Sequence, residues 1–270
     1  MSAQGGGELP FRSPERLDVV DSTNRYLADL ARSGAPEGTS VLARRQTAGR
    51  GRLGRRWVDV EGESVLCSVL FRPAFELARW HTLSWLVALA ARDACATVAG
   101  AELAFKWPND LQAGDRKVAG LLAEAVRGPS PVSSGAAADG GALVVGIGIN
   151  GNWPPHWPPP DDPDAAQIVA TATSLDRATG HRVDTDELAA VMLDRVAWRY
   201  SALQRDAAAG AALAAEYRAN LATISRRVRV DLADESFTGV ALDVDDAGHL
   251  LVDVGACIRA VSAGDVVHVR

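Results

Sequence analysis

Lysine is almost missing from this 270-residue chain: Lys106 and Lys117 stand alone among 28 basic residues, the rest being arginine. Cysteine is scarce too. Cys67, Cys95 and Cys257 are odd in number and far apart, which excludes a disulfide scaffold and fits buried thiols in a reducing cytoplasm. They also lack the close Cys or His partners of a zinc site. No uninterrupted apolar run approaches the roughly 18 residues of a membrane helix. Residues 1–8 are Gly-rich, with no basic stretch leading into an apolar block, so no signal peptide is read there. The expected location is therefore cytoplasmic, with no membrane partner. Positive charge is not in excess either. A net charge of −6 argues against a surface built throughout to hold nucleic acid.

What is present points to a folded protein. An apolar share of 47% and a charged share of 23% exclude wholesale disorder. The length suits one large domain, or one domain with a small companion. The abundance of Ala, Gly and Arg suggests a coding bias that favours Arg wherever any cation serves. Guanidinium is a wide planar fork, whereas the lysine ammonium is compact and on a flexible stem. Two lysines retained eleven positions apart mark places where the fork does not fit, although either one alone is compatible with chance.

The pattern along the chain predicts an α+β arrangement. Residues 1–16 read as a disordered lead, 17–222 as the main domain and 223–270 as a small β-module. Leu17–Asp21 reads as a strand and Ser22-Thr23-Asn24 as the cap of a helix running to Arg32. Thr39–Arg45 and Ser64–Phe71 read as strands, and Trp80–Val98 as a strong helix. Leu103–Trp107 reads as a strand stopped by Pro108, with Lys117–Val126 as its hairpin partner across Ala113-Gly114-Asp115. Residues 128–141 read as a solvated tip, Leu143–Ile149 as a buried strand, and residues 153–163, with six of the thirteen prolines, as an extended loop. Helices are expected over Asp184–Arg205 and Ala211–Leu221. From Ile224 onward five short alternating runs read as a barrel-like module.

Four segments carry chemistry. Six arginines (44, 45, 50, 52, 55 and 56) fall within thirteen residues without an acid, interleaved with Gly49, Gly51 and Gly54. Glycines let backbone N–H groups turn to an anion, and guanidinium forks grip phosphate bidentately. Such a loop should be mobile until an anion neutralises it. Charge alone does not separate a phosphate loop from a solvated basic loop or an RNA-contacting arm. It is not a P-loop, since the Gly-x4-Gly-Lys-Ser/Thr spacing is absent. The second segment is Phe105 to Asp110 followed by Lys117 to Glu124. A hairpin would bring Lys117 back to Asp110, where the pair could hold a nucleotide phosphate with Asp110 open to Mg²⁺; a structural ion pair explains the same residues. The third, Val145 to Asn150, has two glycines in a buried strand, which suggests a close approach to the backbone. Asn150 offers a two-way hydrogen-bonding edge such as adenine presents, although a plain strand end with an Asn turn explains the same residue. The fourth, Ser22-Thr23-Asn24, is most simply a cap.

Taken in order, Ser-Thr-Asn, Gln-Thr-Ala-Gly-Arg-Gly-Arg-x-Gly-Arg-x-Trp, Lys-Trp-Pro-Asn-Asp, Lys-Val-Ala-Gly-Leu-Leu-Ala-Glu and Gly-Ile-Gly-Ile-Asn resemble the biotin protein ligases. The resemblance runs from about Asp18 to Arg270. It implies an α+β catalytic domain related to class II aminoacyl-tRNA synthetases and lipoate ligases, with a mixed sheet, flanking helices and a C-terminal SH3-like barrel. It further implies that biotin and ATP give biotinyl-5′-AMP and pyrophosphate, with Mg²⁺, and that biotin passes to a lysine of a biotin carboxyl carrier domain. Some members carry an N-terminal DNA-binding fold. Residues 1–16 are too few for one, so a monofunctional enzyme without a DNA partner is expected, as a monomer or weak homodimer.

Carried over by motif, Ser22, Thr23 and Gln46 are expected to hydrogen-bond the biotin ureido ring, with Asn24 also in the biotin-binding set. Gly49, Arg50, Gly120 and Leu122 should line the rest of that pocket. Arg52 and Arg55 should meet carboxylate and phosphates, Trp57 should stack on adenine, and Asn150 should read the adenine edge. Lys117, with Arg52 and Asp110, forms the expected catalytic group, with Lys117 at the α-phosphate and biotin carboxylate. Asn109 and Asp110 should serve the phosphate–metal region, and Lys106 should support them. A lipoate ligase on the same fold is disfavoured by the paired Gly-Arg-Gly-Arg and Lys-Trp-Pro-Asn-Asp motifs. An RNA-binding barrel is disfavoured because residues 231–270 are acidic, with Phe237 the sole aromatic.

Overall fold

The computed structural model describes residues 11, 13–127 and 141–269. The expected disordered lead and the tip at 128–141 thus fall almost wholly outside the described residues. In chain order the elements are β1 (Glu15–Val20), α1 (Thr23–Arg32), β2 (Ser40–Gln46), β3 (Ser64–Phe71), α2 (His81–Ala99), β4 (Ala104–Lys106), β5 (Asp110–Ala113), β6 (Arg116–Val126) and β7 (Ala142–Asn150). Helices α3 (Ala165–Thr171), α4 (Leu175–Thr179), α5 (Thr185–Arg205) and α6 (Ala207–Ala219) follow. The chain ends in β8 (Arg227–Asp231), β9 (Ser236–Val244), β10 (Leu250–Asp253), β11 (Ile258–Val261) and β12 (Asp265–His268).

The first seven strands make one mixed sheet in the order β1-β2-β3-β7-β6-β5-β4. Only β1 and β2 run parallel; the other neighbours are antiparallel. Helices cover both faces. Leu27, Ala28 and Ala31 of α1 pack with Val41, Leu70 and Val144 on one side, and α2, α5 and α6 cover the other. Every residue of β3 is buried as a result, which explains why its sequence is apolar on both faces apart from Ser64 and Ser68. By length and hydropathy the helical stretch Leu77–Ala99 could span a bilayer, but 67% of its apolar window is buried in this core. Arg199 of α5, 2.6 Å from Asp93 and 2.8 Å from Glu216, pins the three helices together.

The expected hairpin between 103–107 and 117–126 is corrected by the structure. A short strand, β5, stands between them and pairs with both. The chain turns back at residues 107–109, where the Trp107–Pro108 peptide is cis, and turns again at 114–115. The helix caps differ too. Ser22 occupies the N-cap position of α1, yet its hydroxyl makes no cap bond.

The C-terminal strands form a five-stranded antiparallel sheet in the order β11-β10-β9-β8-β12. This order is consistent with an SH3-like module, although no pairing closes β11 onto β12 among the described residues. The sheet is tightly docked. Val228, Val230, Ala241, Leu250 and Val252 share one apolar cluster with Trp85, Phe105, Trp107 and Tyr217. Trp107 Nε1 donates to the Gly248 carbonyl at 3.1 Å. The passing segment 220–222 bonds the backbone of Phe105, covering the free edge of β4.

Candidate active site

A cleft opens where the ends of β2, β4, β6 and β7 meet the Gly/Arg loop and the start of β12. One end is neutral and polar. Gln46, the last residue of β2, accepts hydrogen bonds from the Thr23 amide (2.8 Å) and hydroxyl (3.1 Å) through Oε1. Ser68 Oγ lies 2.8 Å from Thr23 Oγ1 and 2.7 Å from Asn24 Oδ1. Asn24 Nδ2 donates to the Leu122 carbonyl at 3.0 Å and to Glu124 at 2.8 Å. The first turn of α1 is therefore spent on building a pocket wall rather than on capping itself. Gly146 makes the room: a Cβ there would stand 2.0 Å from Asn24 Oδ1.

The other end is cationic and aromatic. Residues 49–57 form a tight hairpin, closed by Trp57 N–H to Gly49 O (2.9 Å) and Gly51 N–H to Arg55 O (2.7 Å). Trp57 folds back over the sheet. A Cβ on Gly148 would meet its ring at 2.4 Å, and one on Gly120 would meet it at 3.2 Å. The close approach read from the glycines of β7 is thus made by two side chains, Asn24 at Gly146 and Trp57 at Gly148. Trp57 Nε1 is buried and has no hydrogen-bond partner among the described residues.

Between the two ends sits Lys117. Its Nζ lies 2.7 Å from Asp110 Oδ1, 5.6 Å from the Trp57 ring centre, and where a Cβ on Gly120 would stand only 2.7 Å away. The contact with Asp110 is an ion pair, without the alignment of a directed hydrogen bond. It spans a register shift between β5 and β6, so the expected juxtaposition is reached by a route different from the expected hairpin. Arg52 reaches in from the hairpin with Nη1 3.5 Å from Asn109 Oδ1. Burial lowers the Arg52 guanidinium from its ordinary value, opposed by the charges of Asp110 and Asp265. Six cationic side chains line the cleft (Arg50, Arg52, Arg55, Arg56, Lys106 and Lys117), against the two carboxylates of Asp110 and Asp265. Such a surface favours a polyanion.

The hairpin is braced, which the local sequence hides. Acids come from afar: Glu124 lies 2.8 Å from Arg50, Asp265 2.6 Å from Arg55, and Asp162 2.7 Å from Arg56. These carboxylates answer the self-repulsion from which loop mobility was expected.

Of the residues singled out from sequence, Ser22, Thr23, Asn24, Gln46, Arg50, Arg52, Arg55, Trp57, Lys106, Asn109, Asp110, Lys117, Gly120 and Leu122 all line this cleft. Gly49 stands just behind it, against the Trp57 backbone. Asn150 is the departure. It is buried at the end of β7, and its Nδ2 donates to the Thr173 carbonyl at 2.9 Å, outside the cleft lining. Sequence reasoning missed Ser68, Asp162, Asp164 and Asp265, none of which belongs to a compact motif, and it gave no task to Glu124, the last residue of the Lys117–Glu124 segment. Among the described residues no group of three His, Cys, Asp or Glu gathers for a metal.

Comparison with known proteins agrees with this geometry. Residues 17–138 match the model of the biotin/lipoate A/B protein ligase family, and residues 223–269 match that of the biotin protein ligase C-terminal domain. The chain is 37% identical over 265 residues to a biotin–[acetyl-CoA-carboxylase] ligase of Mycobacterium tuberculosis, spanning 94% of this chain and 90% of that one. It is 33% identical to a bifunctional ligase/repressor of Bacillus subtilis, covering 92% of this chain and 72% of the relative. Among solved structures it resembles a biotin protein ligase from Aquifex aeolicus in complex with biotin and ATP, with a TM-score of 0.75, 27% identity, and coverage of 96% of this chain and 100% of the other.

Proposed function

This chain belongs to the biotin/lipoate protein ligase family, and on that footing we propose that it is a biotin–[acetyl-CoA-carboxylase] ligase. It activates biotin with ATP to biotinyl-5′-AMP, releasing pyrophosphate, and then transfers the biotinyl group to a lysine of a biotin carboxyl carrier domain. The observation that carries this reading is the position of Lys117, an ammonium set between a neutral polar pocket and an arginine-rich aromatic slot.

The neutral end suits a ureido ring, which needs donors and acceptors but no charge; Ser22, Thr23 and Gln46 supply them. The cationic end suits a triphosphate, with Trp57 as the platform for the base. In the first step a biotin carboxylate oxygen attacks the α-phosphorus and the bond to the β-phosphate oxygen breaks. Two anions must meet, so the barrier is mostly electrostatic. Lys117 sits where both oxyanions converge, and the packing of Gly120 and Trp57 leaves space for an ammonium but not for a guanidinium plane. Arg52, already desolvated, neutralises charge on the phosphates. In the second step the acceptor amine attacks the acyl carbon, AMP departs, and the amine loses a proton.

Asp110 fits a Mg²⁺ ion carried in with the triphosphate. Among the described residues its carboxylate has one side-chain partner, Lys117 Nζ at 2.7 Å from Oδ1, and Mg²⁺ is commonly held by one or two carboxylates plus phosphates. Asp110 and Asn109 would hold it, and it would neutralise charge on the leaving phosphates. Burial pushes the Cys67 and Cys95 thiols up to about 12, so they are inert packing groups; Cys257, expected to be buried with them, is exposed in the loop between β10 and β11. Residues 17–222 form the catalytic unit on this reading and 223–270 its β-module.

The test is ATP–pyrophosphate exchange with biotin, lipoate or no acid. Exchange strictly dependent on biotin is the expected result, and exchange with lipoate alone would overturn the assignment.

A further inference from the structure

Arg55 and Arg56 are neighbours in sequence, yet they reach opposite flanks of the cleft. Arg55 pairs with Asp265 at the start of β12. Arg56 Nη2 lies 2.7 and 2.9 Å from the two oxygens of Asp162 and 3.1 Å from Asp164 Oδ2, while its Nε lies 3.2 Å from that same Asp164 oxygen. Asp162 belongs to the proline-rich stretch 153–163, the conspicuous motif to which the cleft chemistry gives no task, and Asp164 follows it at the N-cap position of α3. That stretch is firmly anchored. Arg177 donates to the carbonyls of Pro154 (2.9 Å) and Trp157 (3.3 Å) and lies 5.1 Å over the Trp153 ring. The Asp162 side chain, only 12% exposed, also accepts from the Asp164 amide at 2.8 Å.

We propose that Asp162 and Asp164 latch the Gly/Arg hairpin: acting through Arg56, they are positioning residues that keep Trp57 over Gly148 and so set how long the acyl-adenylate is retained. The latch rests on the ligase reading above. The physical need is plain, because a mixed anhydride released into water is hydrolysed or acylates passing amines. The hairpin carries four arginines between residues 50 and 56, so closure needs carboxylates from outside. A lone exposed ion pair contributes little. Here one guanidinium fork engages two carboxylates, one of them sheltered and already oriented, so less ordering entropy is lost on closing. Neither aspartate lines the cleft. Their effect therefore falls on retention and not on the bond-making step.

The test is the Asp162→Asn/Asp164→Asn double variant, in which the amide oxygen at 162 still accepts from residue 164. Exchange kcat should stay within about twofold of the parent. Loss of labelled biotinyl-AMP from preloaded protein should quicken by about tenfold, with a matching rise in labelling of bystander lysines. Raising salt from about 0.05 to 0.5 M should speed release from the parent but hardly from the double variant. Swapping the charges, Arg56→Asp with Asp162→Arg, should restore part of the retention that Arg56→Asp alone loses. Unchanged release, or a fall in exchange kcat as large as the gain in release, overturns the latch. Trypsin supplies a readout independent of activity: cleavage at the hairpin arginines of the unloaded chain should be faster in the double variant, and equal rates overturn the latch. Absence of biotin-dependent exchange in the parent would overturn the ligase reading instead.

Discussion

Gly148→Ala isolates the aromatic slot from the rest of the cleft. A Cβ at this position would lie 2.4 Å from Trp57 Cε2, 2.6 Å from Cζ2 and 2.8 Å from Nε1. Ordinary contact begins near 3.4 Å, so the ring must retreat by about 1 Å (3.4 − 2.4). Gly148 has ordinary strand geometry, pairing with Leu66 on one side and Gly120 on the other. Alanine there even gains about 0.5–1 kcal/mol of backbone preference. The perturbation therefore falls on the platform and spares the fold. Stacking of a base on an aromatic ring contributes about 1–3 kcal/mol, so losing it should raise KM for ATP by roughly 5- to 150-fold. The assay is biotin-dependent ATP–pyrophosphate exchange, titrating ATP and biotin separately, beside a thermal melt. KM for ATP should rise while KM for biotin and the melting temperature hold. An unchanged KM for ATP would refute the assignment of Trp57 to the base. Gly146→Ala is the informative control: there the Cβ meets Asn24, held by Ser68, Leu122 and Glu124, so stability and biotin binding should suffer together.

Lys117→Ala should abolish adenylate formation with an unaltered circular dichroism spectrum; Lys117→Arg, which keeps the charge but collides with Gly120 and Trp57, should still lose about 10²-fold or more in exchange rate. Turnover near wild type in either variant would remove the ammonium from the mechanism. Asp59→Asn addresses pH: burial pushes the Asp59 carboxyl up to about 6 despite the Gln46 amide and the Arg45 charge. Its raised value means that folding is favoured below its unfolded value and that this benefit is lost as pH rises through 6. The amide should therefore stabilise the protein by about 1 kcal/mol at pH 7.5, after discounting for partial exposure, and should lose nearly all of that advantage at pH ~3.5, below the unfolded value. Chemical denaturation at the two pH values checks it, and a pH-independent difference would contradict it.

Much of this arrangement was legible because its parts are compact in sequence. The Gly/Arg loop, the two isolated lysines and the paired glycines of β7 each announce a local geometry that no generic strand or helix requires. What escaped was assembled at a distance. β5 is only four residues long and contains Asp110 and Gln112, so its period-2 signal is faint, and Pro108 reads as a stop where the chain in fact reverses. The short helices α3 and α4 lie in Ala- and Thr-rich sequence with little amphipathic pattern. Ser22 illustrates competition between local and tertiary demands: its position is that of a cap, but the cleft claims the residue. Asn150 shows the converse, a residue placed by motif in the cleft that the fold uses to fasten β7 to Thr173. The acids that neutralise the hairpin, at 124, 162, 164 and 265, could not be paired with their arginines without knowing the sheet order.

The bond from the Trp107 indole to the Gly248 carbonyl, together with the continuous apolar packing around Trp85 and Tyr217, makes the carboxy-terminal module a keystone rather than an appendage. A premature stop or a proteolytic nick ahead of residue 223 would uncover a greasy flank directly behind the turn that presents Asp110. Anyone shortening this protein, or exchanging its tail for that of a relative, would have to redesign the seam as carefully as the catalytic pocket itself.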